Sequence, residues 1–163
     1  MMEDGRQGAS GWWPLAGGLL VAVADALFAW GFWRGRGASL GDIFRSVAAG
    51  LYGDAARASE GAGVAWIGAG LHLFIGITMV VAYALVARRW RPLVERPWLC
   101  GSLCGVAFYL FMNCVVLPLS AAGAPSFAYR SWVASSVLAH AVFGLIAAFA
   151  ARRFIGIGSR SEV

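Results

Sequence analysis

The chain has 163 residues, 60% of them hydrophobic and only 13% charged, with a mean hydropathy of +0.72. That balance excludes an ordinary soluble domain, in which about a quarter of the residues are charged. The net charge of +5 is carried by arginine, with no lysine, and the arginines gather beside apolar runs, which argues against a nucleic-acid partner and for a lipid bilayer.

Residues 1–13 are polar and Gly-rich at the start and are expected to be a disordered cytoplasmic N-terminus. The first apolar stretch, 14–34, is close to the ~20 residues that a helix needs to cross the hydrocarbon core. Further stretches of that kind follow at 65–87, 98–117 and 132–151. Lipid offers no partner to a backbone N–H or C=O, so all four are predicted to be helical. The first is read as a retained span: Glu3 and Asp4 precede it, Asp25 interrupts it, and "AVADA" at 22–26 matches a signal cleavage site only loosely.

Between the first two spans, "SLGDIFRSVAAGLYG" at 39–53 predicts a short amphipathic helix. Ser39 is its N-cap, with Asp42 completing a capping box. Leu40, Ile43, Phe44, Val47 and Leu51 repeat at helical spacing, and Gly53 closes the end. Such a helix lies in the interface or folds onto the mouth of the bundle. "EGAGVAW" at 60–66 reads as a flexible lead, and "RRWRPLVERP" at 88–97 as a tight turn bounded by Pro92 and Pro97. Cys100, Cys104 and Cys114 all fall in the third span, with helical rather than disulfide spacing, and read as small packing residues. Pro118 is expected to stop the third helix and begin a loop over 117–130. Residues 154–163 are a cytoplasmic tail.

Charge sets the orientation. Arg6, Arg88, Arg89, Arg91, Arg96, Arg152, Arg153 and Arg160 share one side. Arg34, Arg36, Arg45, Arg57 and Arg130 share the other, where Asp42, Asp54 and Glu60 offset them. The more basic side is cytoplasmic, so both termini are inside. Trp12, Trp13, Trp90 and Trp98 fall at the inner boundary and Trp30, Trp33, Trp66 and Trp132 at the outer, as an interfacial indole should. The expected fold is all-α: an integral-membrane, up-down-up-down four-helix bundle with a short amphipathic extramembrane helix between helices 1 and 2. "HLFIG…VARRW" and "HAVFG…AARRF" in the second and fourth spans share a pattern consistent with a parallel internal repeat.

Each span also carries one conspicuous polar side chain: Asp25, His72, Asn113 and His140. Such groups are costly in lipid and should face the interior. They lie on stripes of small residues that let helices approach: Gly17–Val21–Asp25–Ala29, Gly68–His72–Gly76, Gly101–Gly105–Tyr109–Asn113 and Ser136–His140–Gly144–Ala148. Counted from the cytoplasmic anchors, Asp25 and His140 stand roughly 18 Å deep, and His72 and Asn113 about 24 Å. Depth therefore pairs Asp25 with His140 and His72 with Asn113, with all four stripes converging, and the candidate polar cluster is Asp25, His72, Tyr109, Asn113 and His140. It can fix helix register, hold a proton or small polar ligand, or ligate a cofactor. For the last, the candidates are His72 and His140 as haem ligands, joined by Asp25 for a metal ion. Soluble-enzyme motifs, P-loop, G-x-S-x-G and H-E-x-x-H among them, are missing. The reading is a non-enzymatic accessory or assembly component, or a small transporter-like unit, able to form a homo-oligomer or join a larger complex. The alternative is a membrane redox protein.

"RPWLCGSLCGVAFYLFMNCVVLPLSA" at 96–121, with "DIFRSVAAGLYG" at 42–53 and the His72 segment, resembles a family of small four-span bacterial inner-membrane proteins of unassigned function. The likeness runs from Gly17 to Arg153. Its expected Tyr-x3-Met-Asn pattern followed by Val-Val-Leu-Pro-Leu-Ser corresponds to Phe108 or Tyr109, Met112, Asn113 and residues 115–120. The resemblance implies a bacterial cytoplasmic membrane and no catalytic residue.

Overall fold

The computed structural model describes residues 11–156, and expectations for residues 1–10 and 157–163 fall outside that range. The described residues are predominantly helical, with no strand. The elements are α1 (Trp13–Trp33), α2 (Leu40–Tyr52), α3 (Asp54–Ala58), α4 (Ala62–Arg89), α5 (Pro92–Glu95), α6 (Pro97–Phe111), α7 (Leu117–Leu119) and α8 (Arg130–Ile155). Four stretches are long and apolar enough to cross a membrane: Trp13–Arg36, Ala62–Arg89, Pro97–Leu119 and Arg130–Ile155. Each runs a little past its predicted ends, because charged and aromatic residues that lipid would expel still have good helical geometry.

α1, α4 and α8 pack mutually, and α6 lies mainly on α8. Direction follows from the contacts. Arg153 stands over the Trp13 ring and Arg88 over Phe154, so the start of α1 and the ends of α4 and α8 share one end of the bundle. At the opposite end Trp33 and Phe28 pack on Trp132, joining the end of α1 to the start of α8. The best-packed core lies near the first end, where Val80, Val94, Ala147, Ala148 and Ala151 are fully buried. α5 belongs to that core: the 88–97 segment holds one helical turn between Pro92 and Pro97, which buries Leu93 and Val94 and accepts a hydrogen bond from Tyr83 Oη at the Leu93 carbonyl (2.8 Å).

Local chemistry explains α2. The Ser39 hydroxyl accepts from the Asp42 N–H, and the Asp42 carboxylate accepts from the Ser39 N–H at 2.8 Å. The Ser39 hydroxyl and then the Arg45 guanidinium lower the Asp42 carboxyl from 3.8 to about 2. Gly53 ends the helix at φ 63, a conformation that other residues strain to adopt. The docked face overlaps the predicted apolar stripe only in part. Ala48 and Ala49 are fully buried, whereas Leu40 and Leu51 are exposed. Small side chains win the contact because α4 approaches closely: a Cβ at Gly68 would fall on the Phe44 carbonyl. The Ala121 N–H donates to the Gly50 carbonyl at 3.0 Å, tying α2 to the second loop.

Three local expectations need correction. The 60–66 lead is helical from Ala62, since only Ser59, Glu60 and Gly61 separate α3 from α4. Residues 154 and 155, assigned to the tail, are the last turn of α8, which closes at Gly156. The loop assigned to 117–130 begins slightly later, because Pro118 stands one residue before the end of the third span. The rod continues through a π-helical turn, Met112–Val116, and ends at Leu119. Proline has no N–H to give, and the helix ends one residue beyond it.

Candidate functional site

The polar residues fall into two groups, one in each of two glycine-lined seams. In the first seam α1 meets α4. A Cβ at Gly76 would press on the Gly18 carbonyl and Ala22, and one at Gly18 on the Ile77 backbone, so neither position has room for a side chain. That approach brings His72, one turn before Gly76, to the Ala22 carbonyl, 2.9 Å from Nε2. Two lone pairs would repel at that distance, so Nε2 carries the hydrogen and donates. In the neutral ring Nδ1 then keeps its lone pair. Asp25, one turn after Ala22, places Oδ2 3.8 Å from the same Nε2. The carboxylate is within ion-pair range but beyond a direct hydrogen bond. Both side chains are sheltered, 14% exposed for His72 and 29% for Asp25. The Phe44 ring lies 6.1 Å from the His72 ring, so α2 stands beside the pair.

In the second seam α6 meets α8. A Cβ at Gly105 would fall on the His140 carbonyl, and one at Gly144 on the Gly101 carbonyl. Here the polar groups turn back on their own helices. Asn113 Nδ2 donates to the Tyr109 carbonyl at 2.9 Å, inside the widened turn. His140 Nδ1 lies 2.9 Å from the Ser136 carbonyl and donates to it, which leaves the lone pair of the neutral ring on Nε2. The His140 ring packs edge-on against Tyr109 (5.2 Å) and Phe143 (5.4 Å). The buried Ser136 hydroxyl has no hydrogen-bond partner among the described residues.

The pairing drawn from depth is therefore corrected. Asp25 meets His72 rather than His140, and Asn113 meets its own helix rather than His72. Depth along a straight axis ignores which helices are neighbours and how far they tilt, and α6 packs mainly on α8. The stripes converge two by two instead of four together. Among the described residues no three His, Cys, Asp or Glu side chains come together, so Asp25, His72 and His140 do not form one coordination sphere. His72 and His140 also occupy different seams, each with one ring nitrogen already on a backbone carbonyl. The Ala22 carbonyl and Phe44 were not legible as site groups. Gly68, on the His72 stripe, was the signal that another helix crosses there.

No protein-family model, curated protein or solved structure matches the chain. The resemblance carried by residues 42–53 and 96–121 thus rests on those residues alone.

Proposed function

We propose that this is a multi-pass protein of the bacterial cytoplasmic membrane, with both termini inside and α2 on the outer side. In this reading it is a non-enzymatic, small transporter-like or accessory unit whose Asp25–His72 pair binds a proton within the membrane. Four apolar helices and the crowding of arginines at the end that bears both termini support the placement. The observation that carries the proton reading is the contact of His72 Nε2 with both Asp25 Oδ2 and the Ala22 carbonyl, across two helices, in otherwise apolar segments. An ionisable pair at that depth costs stability, so such residues are rare outside functional sites, and Asp–His chains are common proton carriers. The outward apolar faces, α6 above all, meet lipid, a second copy or a larger complex.

The test is proton uptake by proteoliposomes under an imposed pH gradient. Wild-type protein is expected to dissipate the gradient faster than empty vesicles, and Asp25→Asn and His72→Ala to remove the excess. His140→Ala should retain it. Wild-type uptake no faster than that of empty vesicles, or equal uptake in all the variants, sinks the proposal.

A further inference from the structure

At the end of the bundle that bears α2, aromatic rings join α1 to α8. Phe28 stacks on Trp132 at 5.4 Å, Phe32 lies 5.0 Å from Trp132, and Trp33 meets both Trp132 (5.5 Å) and Tyr129 (5.2 Å). One cation sits on this platform. The Arg36 guanidinium carbon is 5.2 Å from the Phe32 ring, 5.2 Å from the Trp33 ring and 5.5 Å from the Tyr129 ring. Three quadrupoles hold the charge in place. Arg36 is exposed, and its N–H groups have no hydrogen-bond partner among the described residues, so they are free to donate.

The surrounding charge shows what is missing. Among the described residues, the acids at this end that form ion pairs are Asp42, with Arg45, and Asp54, with Arg57. Neither they nor Glu60 lies within ion-pair distance of Arg34, Arg36 or Arg130. Arg34 is likewise drawn onto a ring, 5.4 Å from that of Trp30, and Arg130 directly follows Tyr129. Arginines held against rings, without a carboxylate partner among the described residues, where an apolar span ends, complement a phosphate anion. The exposed Leu27 and Leu138, on the two helices that the platform joins, provide apolar surface for chains attached to that phosphate.

We infer that Arg36, on its platform of Phe32, Trp33 and Tyr129, is a docking site for the phosphodiester headgroup of a membrane phospholipid in the leaflet at the α2 end. The inference rests on the membrane placement proposed above and is independent of the Asp25–His72 reading. The guanidinium edge donates to the phosphate oxygens, and the lipid tails run along the α1–α8 seam. Charge-assisted bonds of this kind are the stronger class, and the platform removes most of the entropy that a free arginine would lose.

Native mass spectrometry of the full chain in nonionic detergent, titrated with short-chain phosphatidylglycerol, tests it. Arg36→Gln is expected to weaken lipid binding by about tenfold or more. Arg57→Gln, at a paired arginine on the same end, should leave it unchanged. Diacylglycerol, which lacks the phosphate, should not bind, and inorganic phosphate at equal concentration should not displace the lipid. Wild-type binding by Arg36→Gln overturns the inference, as does displacement by inorganic phosphate, which would mark a site for free anions. If Arg36→Gln melts lower than wild type, Arg36→Lys takes its place with an expected loss of about threefold, because a compact ammonium cannot fork. Unchanged binding there is equally fatal. Release of the protein from membranes by alkaline carbonate without detergent would instead defeat the membrane placement, and so separates the two failures.

Discussion

The α1–α4 and α6–α8 seams look alike in sequence and differ in what they do with their histidines. Both have a histidine four residues before a glycine, and both glycines press against the preceding long helix of their own half: Gly76 on α1, Gly144 on α6. In the first seam His72 reaches across to the Ala22 carbonyl and Asp25. In the second His140 and Asn113 bond to carbonyls one turn back on their own helices. A polar group satisfied across a seam couples two helices, and its loss leaves a partner stranded. One satisfied within its helix shapes that helix alone, as the widened turn around Asn113 does. Close packing of small residues is thus common to both seams, and coupling of titratable groups belongs to one.

The largest effect that could break this contrast comes from filling a seam. Gly105→Val is expected to cost about 1–3 kcal/mol through overpacking, read from unfolding in detergent. It should free α6 while sparing the other seam. Maleimide labelling of Cys100 and Cys104, now half-buried against the core, should then rise, with proton uptake retained. If α6 stays protected, the two seams are not separable units.

A smaller effect distinguishes the histidines. His72→Phe is expected to cost about 1 kcal/mol, because it removes an interhelical bond and strands Asp25. His140→Phe keeps the edge contacts with Tyr109 and Phe143 and should cost about half as much or less. Equal losses would erase the distinction between bonding across a seam and along a helix.

The smallest effect is confined to α2. Ser39→Ala removes the cap and should loosen that helix by about 1 kcal/mol, seen as faster amide exchange over residues 40–44. The folded Asp42 carboxyl, at about 2, lies below its ordinary 3.8, so its contribution is complete above pH 4 and lost as pH falls toward 2. The Ser39→Ala difference should shrink across that window while both seams keep their protection.

Much of this was legible along the chain because its causes are local. Length and apolarity locate the four long helices, and the capping box at Ser39 and Asp42 places the start of α2 correctly. Local pattern left the docked face of α2 open: Phe44 of the apolar stripe does lie against α4, but a close crossing at Gly68 also buries Ala48 and Ala49, which apolarity does not rank. It placed the end of the third span at Pro118 to within a residue but did not show the π-helical turn before it. Proline signals a missing hydrogen bond, but whether the helix stops or widens depends on how the surrounding turns and side chains, Asn113 among them, take up the slack.

By itself, then, the order of residues determined that four long helices form, roughly where each lies, and that Asp25, His72 and His140 lie on faces rich in small side chains, because these follow from hydrophobicity and a 3.6-residue period. Only the tertiary structure decided that Asp25 belongs with His72, that Asn113 and His140 turn inward on their own helices, and that Arg36 rests on three rings. Those outcomes depend on which helices are neighbours and at what separation, and that is set by the summed fit of glycine contacts between segments far apart in the chain.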